Sequence, residues 1–309
     1  MKKKKFFLIG GAGFIGKNLA IELVKCGHKV TIYDCVDNPF ENGFLDIAYV
    51  KGNYFDNDIG EMLLKQQDIV ILLACSVGPK SSMINSESCY SQDIVTMIKL
   101  LDQLRSFNIS RLVFISSGGT VYGRNNEKAL SEEMQTFPIN HYGILKLTQE
   151  KIILMYNDLY KMNNVIFRIA NPYGPGQRIA SGIGAVTVFL DNIIHEKEIS
   201  LFGKGDIVRD YIYIEDVAKM ITNFLEKEII TDNIPIYNVG TGSGYTLLQV
   251  IEVIEKVIGK KAKVSFRDER EIDVKRNVLD IQKLLSVIGD YKCKSLLEGV
   301  TEFYYKLRR

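Results

Sequence analysis

Short, uninterrupted apolar runs alternate along the first half of the chain with longer segments whose apolar positions recur every three or four residues. Runs of the first kind are typical of strands buried on both faces of a parallel sheet, and the second pattern is typical of helices with one buried face. The strand-like runs are Phe6–Ile9, Val30–Asp34, Ile47–Lys51, Asp68–Ala74, Leu112–Ser116 and Val165–Ile169, and the main helical segments are Gly13–Cys26, Tyr90–Leu101 and His141–Tyr160. This alternation predicts βαβ units with right-handed crossovers, and therefore an α/β fold with a doubly wound parallel sheet.

The pattern changes after Pro172. An apolar helical face is followed by a turn-rich link and two strands, and the predicted segments are Val186–Ile194, Leu201–Gly205, Ile212–Ile214 and Ile236–Val239. Thr246 and Gln249 then form a predicted capping box before another apolar helix. We therefore expect residues 1–172 to form the larger domain and residues 173–309 to form a smaller α/β lobe, with some segments returning to the larger domain. A cleft between the two is the default position for a second ligand.

A glycine-rich turn joins the first strand to the first helix. Gly10, Gly13 and Gly16 lie in this turn, and Asp34 ends the next strand twenty-one positions after Gly13. Glycine lets the backbone approach a ligand closely, and the free N–H groups at a helix start favour a diphosphate. An acid about twenty residues on can accept a hydrogen bond from a ribose 2′-OH, so the segment predicts a dinucleotide site in a Rossmann-type domain. Asp34 would repel the extra phosphate of NADP and no Arg follows it, so NAD is the expected cofactor.

Ligands of such sheets bind at the carboxyl ends of the strands. We therefore expect NAD to contact residues at these ends and on the glycine turn, together with Tyr142 and Lys146. The expected contacts are Gly10, Gly13, Phe14, Ile15, Gly16, Asp34, Asn53, Tyr54, Leu73, Ala74, Ser116, Tyr142, Lys146 and Ala170.

Composition excludes several other classes of protein. The chain has 309 residues, of which 46% are hydrophobic, so it can bury a large core. Its formal net charge of +2 gives no reason to expect a nucleic acid or a membrane surface as partner, and no apolar stretch approaches the ~18 residues that a membrane span needs. The five cysteines lack the spacing of metal ligands, and an odd, scattered set indicates reduced thiols in a cytoplasmic protein. No metal site is expected.

The spacing of Tyr142 and Lys146 indicates the chemistry. Residues four apart on a helix lie on one face. A tyrosine phenol with a pKa near ~10 is a poor base at neutral pH. The lysine ammonium and the positive ring of an oxidised nicotinamide favour the phenolate, so we expect them to bring the pKa of Tyr142 toward the working range. The pair follows the strand-end run Ser116–Gly123, which places it beside the expected cofactor edge.

These motifs together resemble the extended short-chain dehydrogenase/reductase family, in its nucleotide-sugar epimerase branch, and the resemblance covers nearly the whole chain. The residues that carry it are the glycine turn, the run Ser116–Gly123, the Tyr142/Lys146 pair, the segment Arg168–Gly176, and the downstream segments Leu201–Gly203, Val208–Tyr211 and Arg270–Asp273. The resemblance implies NAD-dependent 4-epimerisation of UDP-glucose and UDP-galactose. It places Asn277 at the position of a size gate beside the sugar 2-substituent, and because Asn is small, the N-acetyl forms of these sugars are possible substrates too. It also implies a homodimer that pairs through the helices containing Tyr90 and Tyr142.

The resemblance assigns roles to individual residues. Tyr142 would be the acid/base, and Lys146 would bind the nicotinamide ribose. The expected substrate contacts are Asn171, Ser200, Phe202, Arg209, Arg270, Asp273 and Asn277. The family usually has Ser or Thr at the position of Gly118 to hydrogen-bond the reacting hydroxyl, so Thr120 and Ser117 are the remaining candidates here. The usual Asn of the long helix is Asp93.

Alternative reactions remain within this resemblance. Related 4,6-dehydratases carry an acidic pair, and sugar-acid decarboxylases a Glu, where this chain has Gly119 and Thr120. Because eliminating water needs an added acid and base, a 4-epimerase is favoured over a dehydratase or a 4-ketoreductase. A non-catalytic NAD-binding protein is the alternative from another class, because fold does not fix function, but Tyr142 and Lys146 are both present. We expect His141 to be structural.

Overall fold

The computed structural model describes residues 3–40, 46–56, 59–84, 86–124, 129–179, 184–227, 234–269 and 274–308. Within them the strands are β1 Lys5–Ile9, β2 Lys29–Asp34, β3 Ile47–Lys51, β4 Ile69–Leu72, β5 Arg111–Ser117, β6 Val165–Ile169, β7 Asn171–Tyr173, β8 Glu198–Phe202, β9 Val208–Tyr213, β10 Ile236–Val239, β11 Gly244–Thr246, β12 Lys263–Arg267 and β13 Arg276–Asn277. The helices are α1 Phe14–Lys25, α2 Glu61–Leu64, α3 Ser86–Ser106, α4 His141–Tyr160, α5 Ala185–Ile194, α6 Ile214–Glu226, α7 Leu247–Ile258, α8 Gln282–Ile288 and α9 Leu296–Leu307.

Seven of these strands form one parallel sheet, in the order β10-β6-β5-β4-β1-β2-β3. The central strands β1, β4, β5 and β6 are buried along nearly their whole length, as expected when helices cover both faces of a sheet. The order runs outward in both directions from β1 and β4, which confirms the predicted doubly wound α/β fold. The crevice at this switch point is where such sheets bind ligands.

Two apolar layers flank this sheet. One contains side chains of α1 and α6, including Leu19, Leu23 and Met220, and the other contains side chains of α3 and α4, including Leu101 and Ile153. Each helix turns its apolar stripe toward the sheet, as the helical periodicity predicts. The helix α4, which belongs to the second layer, carries Tyr142 and Lys146.

The strand β10 comes from the second half of the chain but pairs with β6, so that Ile236 lies opposite Ile166. The helix α6, also from that half, packs against α1. These are segments of the kind expected to return to the larger domain. The division of the chain at residue 172 stays a prediction.

The remaining strands form the smaller lobe. β9 pairs with β7, β11 and β13, and β8 pairs with β12. Their apolar faces pack with α5, α7 and α9 around residues such as Phe189, Ile254 and Phe303. The predicted capping box forms: the Thr246 hydroxyl accepts from Gln249 N, and the Gln249 side chain accepts from Thr246 N.

Two predictions for this lobe were wrong in detail. The segment Leu201–Gly205 was expected to be a turn-rich link, but its first two residues complete the strand β8. The strand expected at Ile212–Ile214 begins earlier, at Val208, and Ile214 already starts α6. In both cases pairing with strands distant in sequence determines the boundary: β8 pairs with β12, and the first residues of β9 pair with β11 and β13. Such pairing leaves little local signal.

The carboxylate of Asp210 on β9 joins the large sheet to the sheet that contains β9. It is fully buried and accepts hydrogen bonds from Thr241 N at 3.0 Å, Thr241 Oγ1 at 2.6 Å and Gly242 N at 3.2 Å. These donors lie just after β10, so Asp210 attaches the end of the large sheet to the smaller lobe. Within the described ranges there is no helix long and apolar enough to cross a membrane, and no cluster of three or more potential metal ligands.

Candidate active site

Two side chains that lie outside α4 accept hydrogen bonds from backbone N–H groups of its first turn. Asn140 is the N-cap, and its Oδ1 accepts from Gly143 N at 2.7 Å. The hydroxyl of Ser82, from the short turn Ser81–Met83, accepts from Tyr142 N at 3.1 Å. Two of the N–H groups that a helix start leaves without partners are thus satisfied. This fixes the first turn of α4, where Tyr142 lies.

Tyr142 and Lys146 lie on one face of α4, as their spacing predicts, and the Lys146 ammonium is 5.7 Å from the centre of the Tyr142 ring. Lys146 is only 2% exposed. Its ammonium donates to Ile115 O at 3.2 Å and lies 4.6 Å from the centre of the Phe114 ring. The end of β5 therefore holds the lysine against the tyrosine.

Two opposing effects act on the pKa of Tyr142 in the protein without cofactor. Burial raises the pKa of Tyr142 above its usual value, and the opposing effect of the Lys146 ammonium is smaller. The pKa of Lys146 is also raised: burial lowers it, but the nearby Cys75, Tyr142, Asp93 and Glu150 together outweigh burial. Without a bound cofactor, the protein thus favours a neutral phenol beside a charged ammonium. The cationic nicotinamide ring is the further charge that would favour the phenolate.

The buried carboxylate of Asp93 lies behind this pair. It is 1% exposed and accepts from the backbone N–H of Ser76 at 3.2 Å to each oxygen, and also from the Ser76 hydroxyl. Its negative charge raises the pKa of both Tyr142 and Lys146. The Asp93 side chain therefore fixes the end of β4 and adds a negative charge behind the pair.

The turn after β5 forms the opposite wall. Ser117, Gly119 and Thr120 line the same cavity as Tyr142, with a volume of about 390 Å³. The Thr120 hydroxyl is buried and meets no hydrogen-bond partner among the described residues. In contrast, the Ser116 hydroxyl donates to Glu150 at 2.5 Å, and that carboxylate also pairs with Arg168. The Thr120 hydroxyl is thus a candidate for contacting a substrate, alongside the Ser117 hydroxyl in the same cavity.

The glycine turn fits a dinucleotide. A Cβ added to Gly10 would lie 2.6 Å from Ala74 N, and one added to Gly16 would lie 2.6 Å from Gly11 O, so neither position accepts a side chain. Gly10 also has a φ of +78°, which favours glycine. The Asp34 carboxylate accepts from Ala12 N at 2.9 Å, which fixes it beside the turn. The backbone thus turns tightly enough for a diphosphate to reach the start of α1.

The structure brings most of the expected cofactor residues together. Those that line the cavity are Gly10, Gly13, Phe14, Ile15, Gly16, Leu73, Ser116, Tyr142, Lys146 and Ala170. Ala74 does not line the cavity, but its backbone lies against Gly10. Tyr54 instead lies in the core and lines a separate cavity of about 300 Å³, and Asn53 Oδ1 accepts from Phe55 N at 3.1 Å in its own turn. Contacts of Asn53 and Tyr54 with NAD stay predictions.

A second cavity, of about 320 Å³, adjoins the first. Asn171, Pro172 and Gly184 line both. Three further residues predicted to bind substrate line it, namely Ser200, Phe202 and Arg209. The Asn171 amide donates to Asp210 O at 2.9 Å, and the Ser200 and Ser265 hydroxyls lie 3.0 Å apart. The arrangement gives two connected chambers, one beside the glycine turn and one beside an arginine.

The other three substrate residues are not placed in this way. Arg270 and Asp273 lie outside the described residues, and their roles stay predictions. Asn277 is 1% exposed and lines neither chamber, because its amide nitrogen donates to Gly118 O at 3.0 Å. His141 forms a hydrogen bond of 2.9 Å through Nδ1 with the Tyr90 hydroxyl, which links α4 to α3.

Sequence reasoning missed several residues that line the chambers. Cys75, Pro79 and Gln177 line the first, and Tyr211 and Leu247 line the second. Cys75 follows directly after the predicted strand Asp68–Ala74, so its position at a strand end was a usable signal. Gln177 and Leu247 come from segments without such a signal, and only tertiary packing brings them to the site.

Comparison with known proteins gives consistent matches. The chain matches the model of the NAD dependent epimerase/dehydratase family over residues 6–240. A putative UDP-glucose 4-epimerase of Methanocaldococcus jannaschii is 31% identical over 283 residues, which cover 90% of each chain. A dTDP-4-dehydro-6-deoxyglucose reductase of Escherichia coli is 29% identical over 315 residues, covering 99% of this chain and 98% of that protein. Among solved structures, the UDP-N-acetylglucosamine 4-epimerase of Methanobrevibacter ruminantium in complex with UDP-N-acetylmuramic acid is 27% identical and has a TM-score of 0.90, covering 100% of this chain and 99% of that one.

Proposed function

The chain belongs to the NAD-dependent epimerase/dehydratase family, and on that premise we propose that it interconverts nucleotide sugars that differ at C4, with UDP-sugars as substrates. One observation carries the proposal: the cavity lined by Tyr142, Lys146 and the glycine turn adjoins, at Asn171, a second chamber lined by Arg209. The first chamber suits the cofactor and the reacting sugar carbon. The second suits the nucleotide diphosphate.

The proton transfers fall to Tyr142. Its hydroxyl lines the first chamber, and as a phenolate it removes the proton from the sugar 4-hydroxyl. Lys146 keeps a positive charge beside the ring, which stabilises the phenolate. NAD, held at the glycine turn, would supply the hydride chemistry at C4. After the sugar has turned so that its other face meets the cofactor, Tyr142 returns its proton to the 4-keto oxygen and is ready for the next turnover.

Thr120 holds the reacting oxygen in this proposal. Its hydroxyl is buried in the wall opposite Tyr142 and has no partner within the described part of the chain. A hydroxyl can donate to the 4-keto oxygen and accept from the 4-hydroxyl by rotation. It therefore suits both states of the sugar.

The nucleotide must stay bound while the sugar turns over. Arg209, Ser200 and Phe202 line the second chamber. A guanidinium pairs bidentately with phosphate oxygens, and an aromatic ring can stack on a base. Arg270 and Asp273 are proposed to complete the diphosphate and ribose contacts. Because the nucleotide is bound in a separate chamber, the flat 4-keto sugar is free to present either face to Tyr142.

UDP is the proposed nucleotide because two of the similar proteins described above are named for UDP-sugars. The N-acetyl forms are proposed as substrates alongside UDP-glucose and UDP-galactose, since one of those two proteins is a UDP-N-acetylglucosamine 4-epimerase. Asn277 does not bear on this choice, because it lines neither chamber.

Reduction of a 4-keto nucleotide sugar is the second candidate. Gly118 removes the hydroxyl that the resemblance leads one to expect, and the Escherichia coli protein that is 29% identical over almost the whole chain is named as a reductase of this kind. A reductase would consume one NADH or NADPH for each sugar, whereas an epimerase consumes none. This difference in stoichiometry separates the two.

We also propose that two copies of the chain pair through α3 and α4. These helices expose apolar side chains at Val95, Ile98, Ile144, Met155 and Leu159. Apolar side chains grouped on a surface favour an interface between proteins. Light scattering of the purified protein measures the oligomeric state directly, and a monomer at micromolar concentration would contradict the proposal.

The activity is tested by incubating the purified protein with UDP-glucose, UDP-galactose, UDP-GlcNAc and UDP-GalNAc, without added NAD. Chromatography and mass spectrometry are expected to show interconversion of a C4 pair at unchanged mass. A product lighter by one water would mean a dehydratase. Consumption of NADH or NADPH with a 4-keto sugar would mean a reductase. No change in any sugar, with NAD added, contradicts the proposed UDP-sugar epimerase.

A further inference from the structure

Gly118 occupies a site with no room for a side chain. A Cβ added there would lie 2.6 Å from Leu279 Cδ1 and 3.1 Å from the backbone oxygen of Arg168. Real Cβ atoms do not approach other atoms as closely as 2.6 Å, so Leu279 would have to move. Gly118 is buried and does not line the cavity that Ser117, Gly119 and Thr120 line. Its hydrogen side thus faces packed protein rather than the reacting sugar.

Leu279 cannot easily move away from Gly118. Its side chain is fully buried, and the backbone on both sides of it is fixed by Leu130: Leu130 N donates to Val278 O at 2.9 Å, and Asp280 N donates to Leu130 O at 2.9 Å. Cores are packed too densely to accept a displaced leucine without cost. The Leu279 side chain therefore fills the volume that a side chain at position 118 would need.

Asn277 holds the same turn by a hydrogen bond. Its amide nitrogen donates to Gly118 O at 3.0 Å across 159 positions of sequence. Asn277 belongs to β13 and lies opposite Arg209 of β9. The residue that contacts the catalytic turn is therefore paired with the residue proposed to bind the diphosphate.

The neighbouring glycine shows that this constraint is local. A Cβ added to Gly119 would meet Asn171 Oδ1 at 3.5 Å, which is an ordinary contact. Only position 118 is closed by Leu279. The sequence alone gives two adjacent glycines without distinguishing them.

We propose that Asn277 and Leu279 are positioning residues for the catalytic turn: the Asn277 amide holds the Gly118 carbonyl, Leu279 closes the space beside Gly118, and the turn is thereby fixed with the Thr120 hydroxyl facing Tyr142. The inference rests on the proposed function in that Thr120 and Tyr142 are taken to act on the sugar. It replaces the view of Asn277 as a gate beside the sugar, since a residue that lines neither chamber does not contact the 2-substituent.

The first test replaces Asn277 by Leu, which has a similar shape but no donor. We expect kcat to fall about tenfold to hundredfold, because a small misplacement of a catalytic group costs that much, with KM nearly unchanged and with plain and N-acetyl sugars affected equally. A changed ratio between plain and N-acetyl sugars, at unchanged kcat, would restore the gate and overturn the proposal.

Asn277→Asp is the conservative variant. Its buried carboxyl can donate to Gly118 O only while protonated, and burial raises the pKa of such a group. We therefore expect the rate of this variant, relative to the unchanged protein, to be highest at low pH and to fall as the pH rises. A ratio of the two rates that does not change with pH would show that residue 277 does not act by donating a hydrogen bond to Gly118 O.

The second test adds a side chain at position 118. Gly118→Ser supplies the hydroxyl that is otherwise missing, but we expect it to lower kcat about tenfold or more because Leu279 blocks it. Leu279→Val removes the two Leu279 atoms that a Cβ at 118 would meet, Cδ1 and Cδ2, and leaves only the milder contact with Arg168 O at 3.1 Å, so the double variant should recover most of that loss. Ile281→Val, a matched truncation of a buried residue that does not touch Gly118, should give no recovery. Equal losses with and without Leu279→Val would contradict the proposal.

An activity-independent readout separates this inference from the proposed function. Hydrogen exchange of the backbone amides of residues 115–122 should speed up at least threefold in Asn277→Leu, because the turn loses its anchor, and stay unchanged in Ile281→Val. If the unchanged protein converts no sugar but exchange responds in this way, the proposed reaction fails and the anchor stands. If the protein converts sugars but Asn277→Leu alters neither kcat nor exchange, the anchor fails.

Discussion

The two walls of the catalytic cavity are built in opposite ways. In the wall formed by α4, Tyr142 and Lys146 share one face because of their spacing on a single helix with Asn140 as its N-cap, and the distant Ser82 and Ile115 add only one hydrogen bond each. The wall formed by the turn Ser117–Thr120 depends on distant residues: Gly118 N donates to Ile169 O at 2.8 Å, and Gly118 O accepts from Asn277. One wall is therefore fixed mainly by helix geometry and the other by tertiary packing. The first can be recognised from a short stretch of sequence, and the second cannot.

The largest effect is expected from Tyr142→Phe, which removes the acid/base from the helical wall. General acid–base catalysis contributes about 10²- to 10⁴-fold, and we expect kcat to fall within that range while NAD still binds. The matched control is Tyr90→Phe, because the Tyr90 hydroxyl bonds to His141 outside the cavity. Steady-state rates for both variants would contradict the assignment if the two fell equally.

Lys146→Met is expected to lower kcat about a hundredfold at neutral pH and to change the pH profile. The Lys146 ammonium lowers the pKa of Tyr142, so its loss raises that pKa. Tyr142 acts as a base only when ionised, and the acid limb of the profile must therefore move to higher pH. Lys151→Met on the same helix, at an exposed position, is the control and should leave the limb in place.

Thr120→Ala tests the other wall. Losing a hydrogen bond to a charged or reacting oxygen costs about 1.5 to 3 kcal/mol, which corresponds to roughly a tenfold to hundredfold loss of kcat. Thr120→Ser keeps the hydroxyl and should retain most of the activity. Ser117→Ala should cost less than about threefold; a larger loss there than in Thr120→Ala would move the role to Ser117.

The smallest effect on rate is expected from Asn140→Ala. Removing an N-cap costs about 0.5 to 2 kcal/mol of stability, which thermal unfolding would measure. The Ser82 hydroxyl still accepts from Tyr142 N, so kcat should stay within about threefold. A large loss of kcat at unchanged stability would show that the helical wall is less self-contained than the comparison states.

What the sequence predicted follows this division between local and distant contacts. The bounds of α4, β3 and β6 were predicted correctly, because capping residues and apolar runs lie within each segment. The strands β7 and β13, of three and two residues, exist only through pairing with β9 and were not predicted. Gly118 shows the same limit inside the site: its loss of a hydroxyl was visible in the sequence, and the leucine that fills the space was not.

The pKa of Tyr142 depends on contacts of both kinds. The spacing to Lys146 correctly placed an ammonium beside the ring, but burial outweighs it in the protein without its cofactor. Burial of a side chain depends on every element around it, whereas the spacing of two residues on a helix does not. A pair of charges can therefore be predicted from sequence more easily than the balance between charge and desolvation.

The position of β10 has a consequence for how the protein is made. During synthesis, the ribosome completes the first six strands of the large sheet long before Ile236–Val239 is translated, so the edge of β6 waits without its partner. Until α6 has been translated, the face of α1 that packs against it is also exposed. A nascent chain in this state presents an unpaired strand edge, which is prone to pair wrongly with another chain. The large sheet is thus complete only after β10 has been translated.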